Sequence, residues 1–412
     1  MKTAERKKLT EEARKLLASP DLFRNHLDAL QRNGLVGEER NATIVFVTGV
    51  SRLLAKPLNL TVKGKSSAGK NHLIKSVLAL FPRDAIREIT STSSHAWNYS
   101  EDDFQHRILY QQELDLKSAA MRQVRQLISE GRLIRTTTVK RDGRFVKETF
   151  IAEGPIAAIS TTTRRQLAID EETRHLSLFV DESRQQTRRV MGAAFRQTIP
   201  LSKHDIRVWQ HAHELLASRA EGVSINFPSW IREVSDAAYD QDIRMRRYIK
   251  AFATACETVA LLRSFRPGHY DERKRRIRVH FSDFVFASLI FVPAFQESLH
   301  GGTEETDQTR ALVDRLATQS DKKSVSWREV AKELGISKDK AYRVLREARE
   351  AGVIYQCNKP EKGNLKRYAA TKWPPFIPDP ETLFQKFPAL GKRVRIIHPL
   401  TGRRIVYRRK RH

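Results

Sequence analysis

Apolar positions along the chain follow three successive rhythms. Over residues 1–55 they recur at helical spacing: Leu9, Ala13, Leu16 and Leu17 share one face, Pro20 restarts the chain, and Leu22, Phe23, Leu27 and Leu30 make a second stripe. Gly34 and Gly37 punctuate before a third segment, Asn41 to Leu54, so 1–55 reads as a helical lead-in. From Pro57 the runs shorten. A strand over 58–63, a Gly-rich turn and an apolar helix over 72–80 are followed by strands at 107–111, 155–160 and 176–180, with a helix over 116–130 between. That alternation predicts a mostly parallel α/β sheet across 56–200. Residues 201–302 return to helical spacing, clearest at 206–217 and 245–262 and interrupted by the basic run Arg273-Lys274-Arg275-Arg276. Gly301-Gly302 and the polar stretch to Gln308 read as a linker to a compact unit over 309–373, and 374–412 as a basic C-terminal tail.

Two finer patterns stand out. Between the second and third strands, Thr136-Thr137-Thr138-Val139 and Phe145-Val146-Lys147 flank Lys140-Arg141-Asp142-Gly143-Arg144, and Asp-Gly between alternating strands predicts a hairpin. In the C-terminal unit Ser326-Trp327-Arg328-Glu329 is a capping box opening a helix to Leu334. Gly335-Ile336 turns, Ser337 caps a helix over 338–351, and two strands follow at 353–357 and 365–369. Helix, tight turn, helix and basic hairpin predict a winged helix-turn-helix. Its second helix exposes Lys338, Lys340, Tyr342, Arg343 and Arg346, and its wing carries Lys359, Lys362, Lys366 and Arg367. In the tail, 394–397 and 404–407 flank Pro-Leu-Thr-Gly as a small basic hairpin.

Charge identifies the kind of partner. Lys and Arg number 75 against 48 Asp and Glu among 412 residues, a formal net charge of +27, the footprint of a polyanion binder. Hydrophobic content of 40% excludes a disordered chain. The longest apolar run, Phe284 to Phe295, is broken by Ser288 and Pro293 and falls short of the roughly 20 residues a bilayer needs. The first residues carry no signal-peptide core, and two cysteines support neither a disulfide framework nor a zinc finger. We expect an intracellular, cytoplasmic protein with DNA rather than membrane as partner.

Gly64-Lys65-Ser66-Ser67-Ala68-Gly69-Lys70-Asn71 fits G-x-x-x-x-G-K between a strand and a helix. Backbone amides of 65–70 would wrap the β-phosphate of ATP, with Lys70 reaching the β and γ oxygens. Asn71 stands where a Ser or Thr hydroxyl usually meets Mg²⁺, a weaker substitute. Ile108-Leu109-Tyr110-Gln111-Gln112-Glu113 is the second strand of such a site: Glu113 stands where a base would orient water, and Gln112 replaces the usual Asp. Asp115 is a compensating carboxylate or a helix-starting residue.

From Leu16 to Arg196 these pieces resemble the AAA+ modules related to minichromosome maintenance helicases of bacterial mobile elements and phages. The resemblance is carried by Val36-Gly37-Glu38-Glu39, Ser51-Arg52-Leu53-Leu54-Ala55-Lys56-Pro57-Leu58, the phosphate loop, Gly154-Pro155-Ile156-Ala157, Ser160-Thr161-Thr162-Thr163, Glu172-Thr173-Arg174 and 180–187. It implies an α/β AAA+ core with a helical lid over 201–302, beside the winged helix. It also implies a polar sensor at Ser160 or Thr161, Thr161 being preferred, an arginine finger at Arg174 acting on a neighbouring subunit, and a second sensor at Arg246 or Arg247. A finger acting in trans implies a ring, a homo-hexamer. The hairpin would hold DNA in the channel through Lys140, Arg141 and Arg144. The resulting expectation is an ATP- and Mg²⁺-dependent DNA translocase or helicase in replication of a mobile element or phage, with priming left to a separate primase or polymerase. The alternative is a nucleotide-gated DNA-binding initiator or regulator with little hydrolysis, motivated by Asn71 and Gln112. A small-molecule kinase explains neither the winged helix nor the charge.

Overall fold

The computed structural model describes residues 3–89, 104–113, 119–141, 144–165, 167, 172–195, 199–240, 242–300, 304–319, 323–350, 353–358, 365–371 and 375–409. They fall into two units, Met1–Phe295 with Ile377–His412, and Gln296–Phe376.

The first unit opens with helices α1 (Thr3–Ala18), α2 (Leu22–Arg32) and α3 (Glu39–Ser51). Strands β1 (Leu60–Lys63), β2 (Ile86–Ile89) and β3 (Arg107–Gln111) follow, with α4 (Lys70–Leu78) after β1 and α5 (Ala119–Glu130) after β3. The antiparallel hairpin β4 (Arg132–Arg141) and β5 (Arg144–Glu153) precedes β6 (Ile156–Thr162) and β7 (Leu176–Phe179). The sheet runs β2-β3-β6-β1-β7 with every neighbouring pair parallel. Parallel strands are covered on both faces, which is why β1 and β6 are buried along their whole length. Residues Ala42 to Ser51 of α3 are likewise buried all round, marking it as the central helix of the packing.

That packing centres on Phe46, whose ring lies 6.5 Å from Phe23, 6.0 Å from Phe81 and 6.0 Å from Trp209. His26 stacks on it at 4.0 Å, and His213 stacks on Phe81 at 3.8 Å. Both imidazoles are buried, and neither ring nitrogen of either one has a hydrogen-bond partner among the described residues.

After α6 (Arg184–Ala193) the chain forms α7 (Lys203–Ala220), β8 (Ser224–Asn226), α8 (Ile231–Asp236), α9 (Met245–Leu262), β9 (Tyr270–Asp271), β10 (Arg276–Arg278) and α10 (Phe281–His300). Within this helix-dominated segment β8, β10 and β9 make a small sheet; residues 273–275 of the basic run lie in the turn between β9 and β10, and Arg276 opens β10. Arg263 at the end of α9 forms a buried ion pair with Asp283 in α10.

The linker expectation also changes. Residues 301–303 lie outside the described residues, but Glu304 already starts α11 (Glu304–Gln319), because the polar residues to Gln308 form its first turns. With α11 come β11 (Val325–Ser326), α12 (Trp327–Leu334), α13 (Lys338–Glu350), β12 (Ile354–Gln356) and β13 (Arg367–Ala370), in an antiparallel sheet β11-β13-β12. The core of this second unit includes Val313, Val325, Val330, Leu345, Ala348 and Tyr368. The amide and hydroxyl of Ser326 donate to the Glu329 carboxylate at 2.7 and 2.8 Å, the capping box read from the sequence. Gly335, at φ +63°, makes the turn between α12 and α13.

The remaining segment, α14 (Pro380–Lys386) with the hairpin β14 (Arg393–Ile397) and β15 (Arg404–Arg408), is not a free tail. Phe384 and Tyr407 pack against Phe281, and Arg24 donates to the Thr401 carbonyl. Among the described residues no helix is long and apolar enough to cross a membrane.

Burial pulls the pKa of His26 down to about 3, and burial with nearby Arg52 pulls His213 well below its ordinary value. The unfolded chain protonates these imidazoles near 6.5, so their contribution is complete above that pH and is lost as pH falls toward the folded value. His26 alone should cost about 2 kcal/mol of stability between pH 6.5 and pH 5. Thermal melting at the two pH values checks this, and His26→Phe should flatten the difference.

Candidate functional site

The carboxyl ends of β1, β3 and β6 lie side by side: Lys63 pairs with Thr162, and Gln111 with Ser160. In an open parallel sheet this edge is where ligands bind. The loop leaving β1 is the Gly64-to-Lys70 motif, and α4 begins at Lys70. Ser67 and Gly69 take left-handed backbone, φ +64° and +87°, and a Cβ on Gly69 would meet nothing within 4 Å. A Cβ on Gly64 would collide with Val180, so only glycine fits there. The ammonium of Lys70 donates to the carbonyls of Gly64 and Lys65, both at 2.7 Å. Burial holds its pKa below the ordinary lysine value, while Glu182 and Glu113 pull the other way, so both carboxylates are electrostatic neighbours of the loop.

Glu182 does more than neighbour it. Its carboxylate accepts from the Lys65 amide and lies 3.3 Å from the Lys65 ammonium. A phosphate bound in the loop would compete with Glu182 for that amide. Ser66 and Ala68 complete the loop, and the Ala68 amide donates to the Lys65 carbonyl at 3.3 Å.

At the next strand end, Glu113 adopts a left-handed backbone, φ +53°, and its amide donates to Thr161 Oγ1 at 3.0 Å. Of the two sensor candidates, Thr161 therefore meets Glu113, whereas the Ser160 hydroxyl bonds Thr61 in β1 at 2.9 Å. Asn71 and Gln112 are brought together: the Asn71 carboxamide donates to Gln112 Oε1 at 3.5 Å and accepts from the Tyr110 hydroxyl at 3.1 Å. Gln112 in turn donates to Glu88, which pairs with Lys75 at 3.2 Å. The neutral amide at 112 thus leads to a carboxylate one strand away. Asp115 lies outside the described residues. Among the described residues no group of three or more His, Cys, Asp or Glu could hold a metal, so the oxygens offered at this edge are carboxamides and single carboxylates.

The arginine candidates sit elsewhere. Lys63 is fully buried, and its ammonium donates to the Arg165 carbonyl at 2.9 Å and pairs with Glu172, which also accepts from Ser177 at 2.8 Å and from the Leu167 amide at 3.1 Å. Two residues on, Arg174 donates to the Ser129 hydroxyl at the end of α5. Arg174 lies in the turn that precedes β7, whose first residue, Leu176, is in register with Leu60 at the start of β1. Arg247 donates to Thr173 beside it, while Arg246 is exposed at the start of α9.

The hairpin carries Lys140, Arg141 and Arg144 in its last register pairs, Lys140 with Phe145 and Arg141 with Arg144; residues 142 and 143 lie outside the described residues. In the second unit Lys338, Lys340, Arg343 and Arg346 are exposed on α13. Tyr342 is not free: it stacks on Trp327 at 5.5 Å. Arg367 is also engaged, donating from Nε to the Ser324 hydroxyl at 2.9 Å and from its guanidinium to the Ser324 carbonyl. Lys366 is exposed, and Lys359 and Lys362 lie outside the described residues. Sequence reasoning assigned no role to Glu88, Glu182 or the Lys63–Glu172 pair.

Residues 8–216 match the family described as MTBMA_p00010 P-loop domain. Comparison with curated proteins finds no match.

Lys70→Ala should weaken binding of a fluorescent ATP analogue about tenfold or more, the loss of a charge-assisted contact. Glu88→Gln should raise the Mg²⁺ concentration for half-maximal nucleotide binding about tenfold, since Glu88 acts through Gln112. Titrations of analogue and of Mg²⁺ check both.

Proposed function

The chain belongs to the MTBMA_p00010 P-loop domain family, and from that footing we propose that this P-loop NTPase is an ATP-driven DNA translocase or helicase of the AAA+ type. It would serve replication of a mobile element or phage, with a separate primase or polymerase supplying any priming. ATP binds at the edge of β1, β3 and β6, with Lys70 on its phosphates and the amides of the loop around them. Glu113, held by Thr161, orients the attacking water. Asn71, Gln112 and, through it, Glu88 would face a Mg²⁺, whose charge would neutralise that of the phosphates.

One observation carries the motor reading. Arg174 donates to Ser129, three residues before the first residue of the hairpin at Arg132, so the residue proposed to meet a neighbour's nucleotide also holds the root of the element proposed to grip DNA. It precedes the start of β7 rather than following the strand ends beside the phosphate loop, which suits an action in trans. Large apolar side chains exposed on the same unit, Met191 at 62%, Phe195 at 92% and Ile199 at 82%, supply contact surface for a ring of six copies. The second unit then acts as a winged helix, with exposed Lys338, Lys340, Arg343 and Lys366 on DNA phosphates. The Asn71–Gln112 amide pair favours a second reading, a nucleotide-gated DNA-binding initiator or regulator with little hydrolysis.

ATP turnover with Mg²⁺, with and without DNA, separates the two. We expect DNA-stimulated turnover in the wild type and its loss in Lys70→Ala, Glu113→Gln and Arg174→Ala. Mixing Lys70→Ala with Arg174→Ala subunits should restore roughly a quarter of it, because each variant supplies the half the other lacks. Nucleotide binding without turnover in the wild type would leave the gated binder.

A further inference from the structure

A cleft of about 440 Å³ opens where the end of α1, the end of α7 and the segment from Ser264 to Glu272 converge. It shares no residue with the phosphate loop. Arg14, Lys15, Arg219 and Arg266 line it against one carboxylate, Glu272. Lys15 is already paired with Glu11 at 2.8 Å, which leaves three guanidinium groups as the free positive charge. Arg219 stands in the last turn of α7, Arg14 in the turn before the last of α1, and Arg266 in the segment that follows α9.

Burial holds Arg219 below the ordinary arginine value against the opposite pull of Tyr270 and Glu272, and burial followed by Arg263 holds Arg266 below it. An anion offsets the cost of burying such cations. Arg219 lies over the rings of Tyr270 and Phe265, 3.9 and 4.5 Å from their centroids, which fixes a flat, cationic platform in the wall. At the base, Ser264 is 2% exposed, and its hydroxyl has no hydrogen-bond partner among the described residues. A buried hydroxyl left unpaired is costly, and a ligand oxygen would satisfy it.

We propose that this cleft is a second phosphate site that takes one nucleotide unit, its phosphate on Arg14, Arg219 and Arg266 and its unpaired base against the Arg219 platform. The volume suits a single nucleotide, within the usual range for small-ligand pockets of about 300–1,000 Å³. Flat cationic and aromatic surfaces beside a basic groove are how single strands are held without sequence preference. The unit is presented by a single strand or as a free nucleotide, and the test distinguishes them. The inference does not rest on the translocase reading.

The experiment uses the full chain carrying Lys70→Ala, so that the phosphate loop contributes little. Binding of a fluorescein-labelled oligothymidylate is followed by anisotropy and binding of thymidine monophosphate by calorimetry, with Arg14→Gln/Arg266→Gln added. Lys203→Gln/Arg232→Gln removes the same charge from exposed positions elsewhere on the first unit. We expect the cleft variant to weaken oligonucleotide binding about tenfold and lower its salt slope by about two, with little change in the control. Arg14→Gln alone, exposed on α1, should shift binding the same way by less and guards against a folding defect. Loss of oligonucleotide binding alone identifies a strand as the source; loss of monophosphate binding as well identifies the free unit as sufficient. Cleft and control variants behaving alike toward both probes would overturn the proposal.

Discussion

A lysine with no exposed surface sits immediately before the phosphate loop, and the first unit is organised around what that lysine needs. Lys63 cannot be buried uncompensated, and its partner Glu172 is drawn from 109 residues away. To reach it, the chain leaving β6 passes the Arg165 carbonyl and the Leu167 amide before entering β7, and all of these are tied to the same ion pair. One electrostatic constraint thus fixes the strand end that aims the loop and the segment that presents Thr173 and Arg174. Removing either partner of such a buried pair costs about 3–5 kcal/mol.

A second constraint shapes the edge where the strands end. Gln112 lies between Asn71 and Glu88, and a carboxylate at 112 would stand beside the Glu88 carboxylate. Like charges at hydrogen-bonding distance are mutually destabilising, so the amide at 112 and the acid at 88 make a consistent set. Where the sequence has an amide at 112, the neighbouring strand sets a carboxylate, Glu88, against it.

That explains which parts of the molecule could be read in advance. The strands at 107–111 and 176–179 and the helix at 245–262 are legible because burial on both faces, or on one helical stripe, writes itself into local spacing. Strand β2 is not: Ile86-Arg87-Glu88-Ile89 lies at the sheet edge, half buried with two charges, and leaves no run of apolar residues. Glu88 was therefore invisible as a site residue. Lys63, Glu172 and Glu182 escape for another reason, since their partners lie more than a hundred residues away. The phosphate loop is legible from its own eight residues, whereas the parts assigned to Arg174 and Thr161 came only from resemblance. In the last segment abundant Arg and Lys masked Phe384 and Tyr407, the side chains that dock it.

The first unit is discontinuous: Gln296–Phe376 is inserted before its last 36 residues. On the ribosome domains generally fold as they emerge, the earlier first. Here that order is broken, because Phe281 waits for Phe384 and Tyr407, which are made only after the whole inserted unit. The inserted unit has its complete core in hand sooner, so the part of the chain synthesised later can finish folding while the part that carries the phosphate loop is still open at that seam.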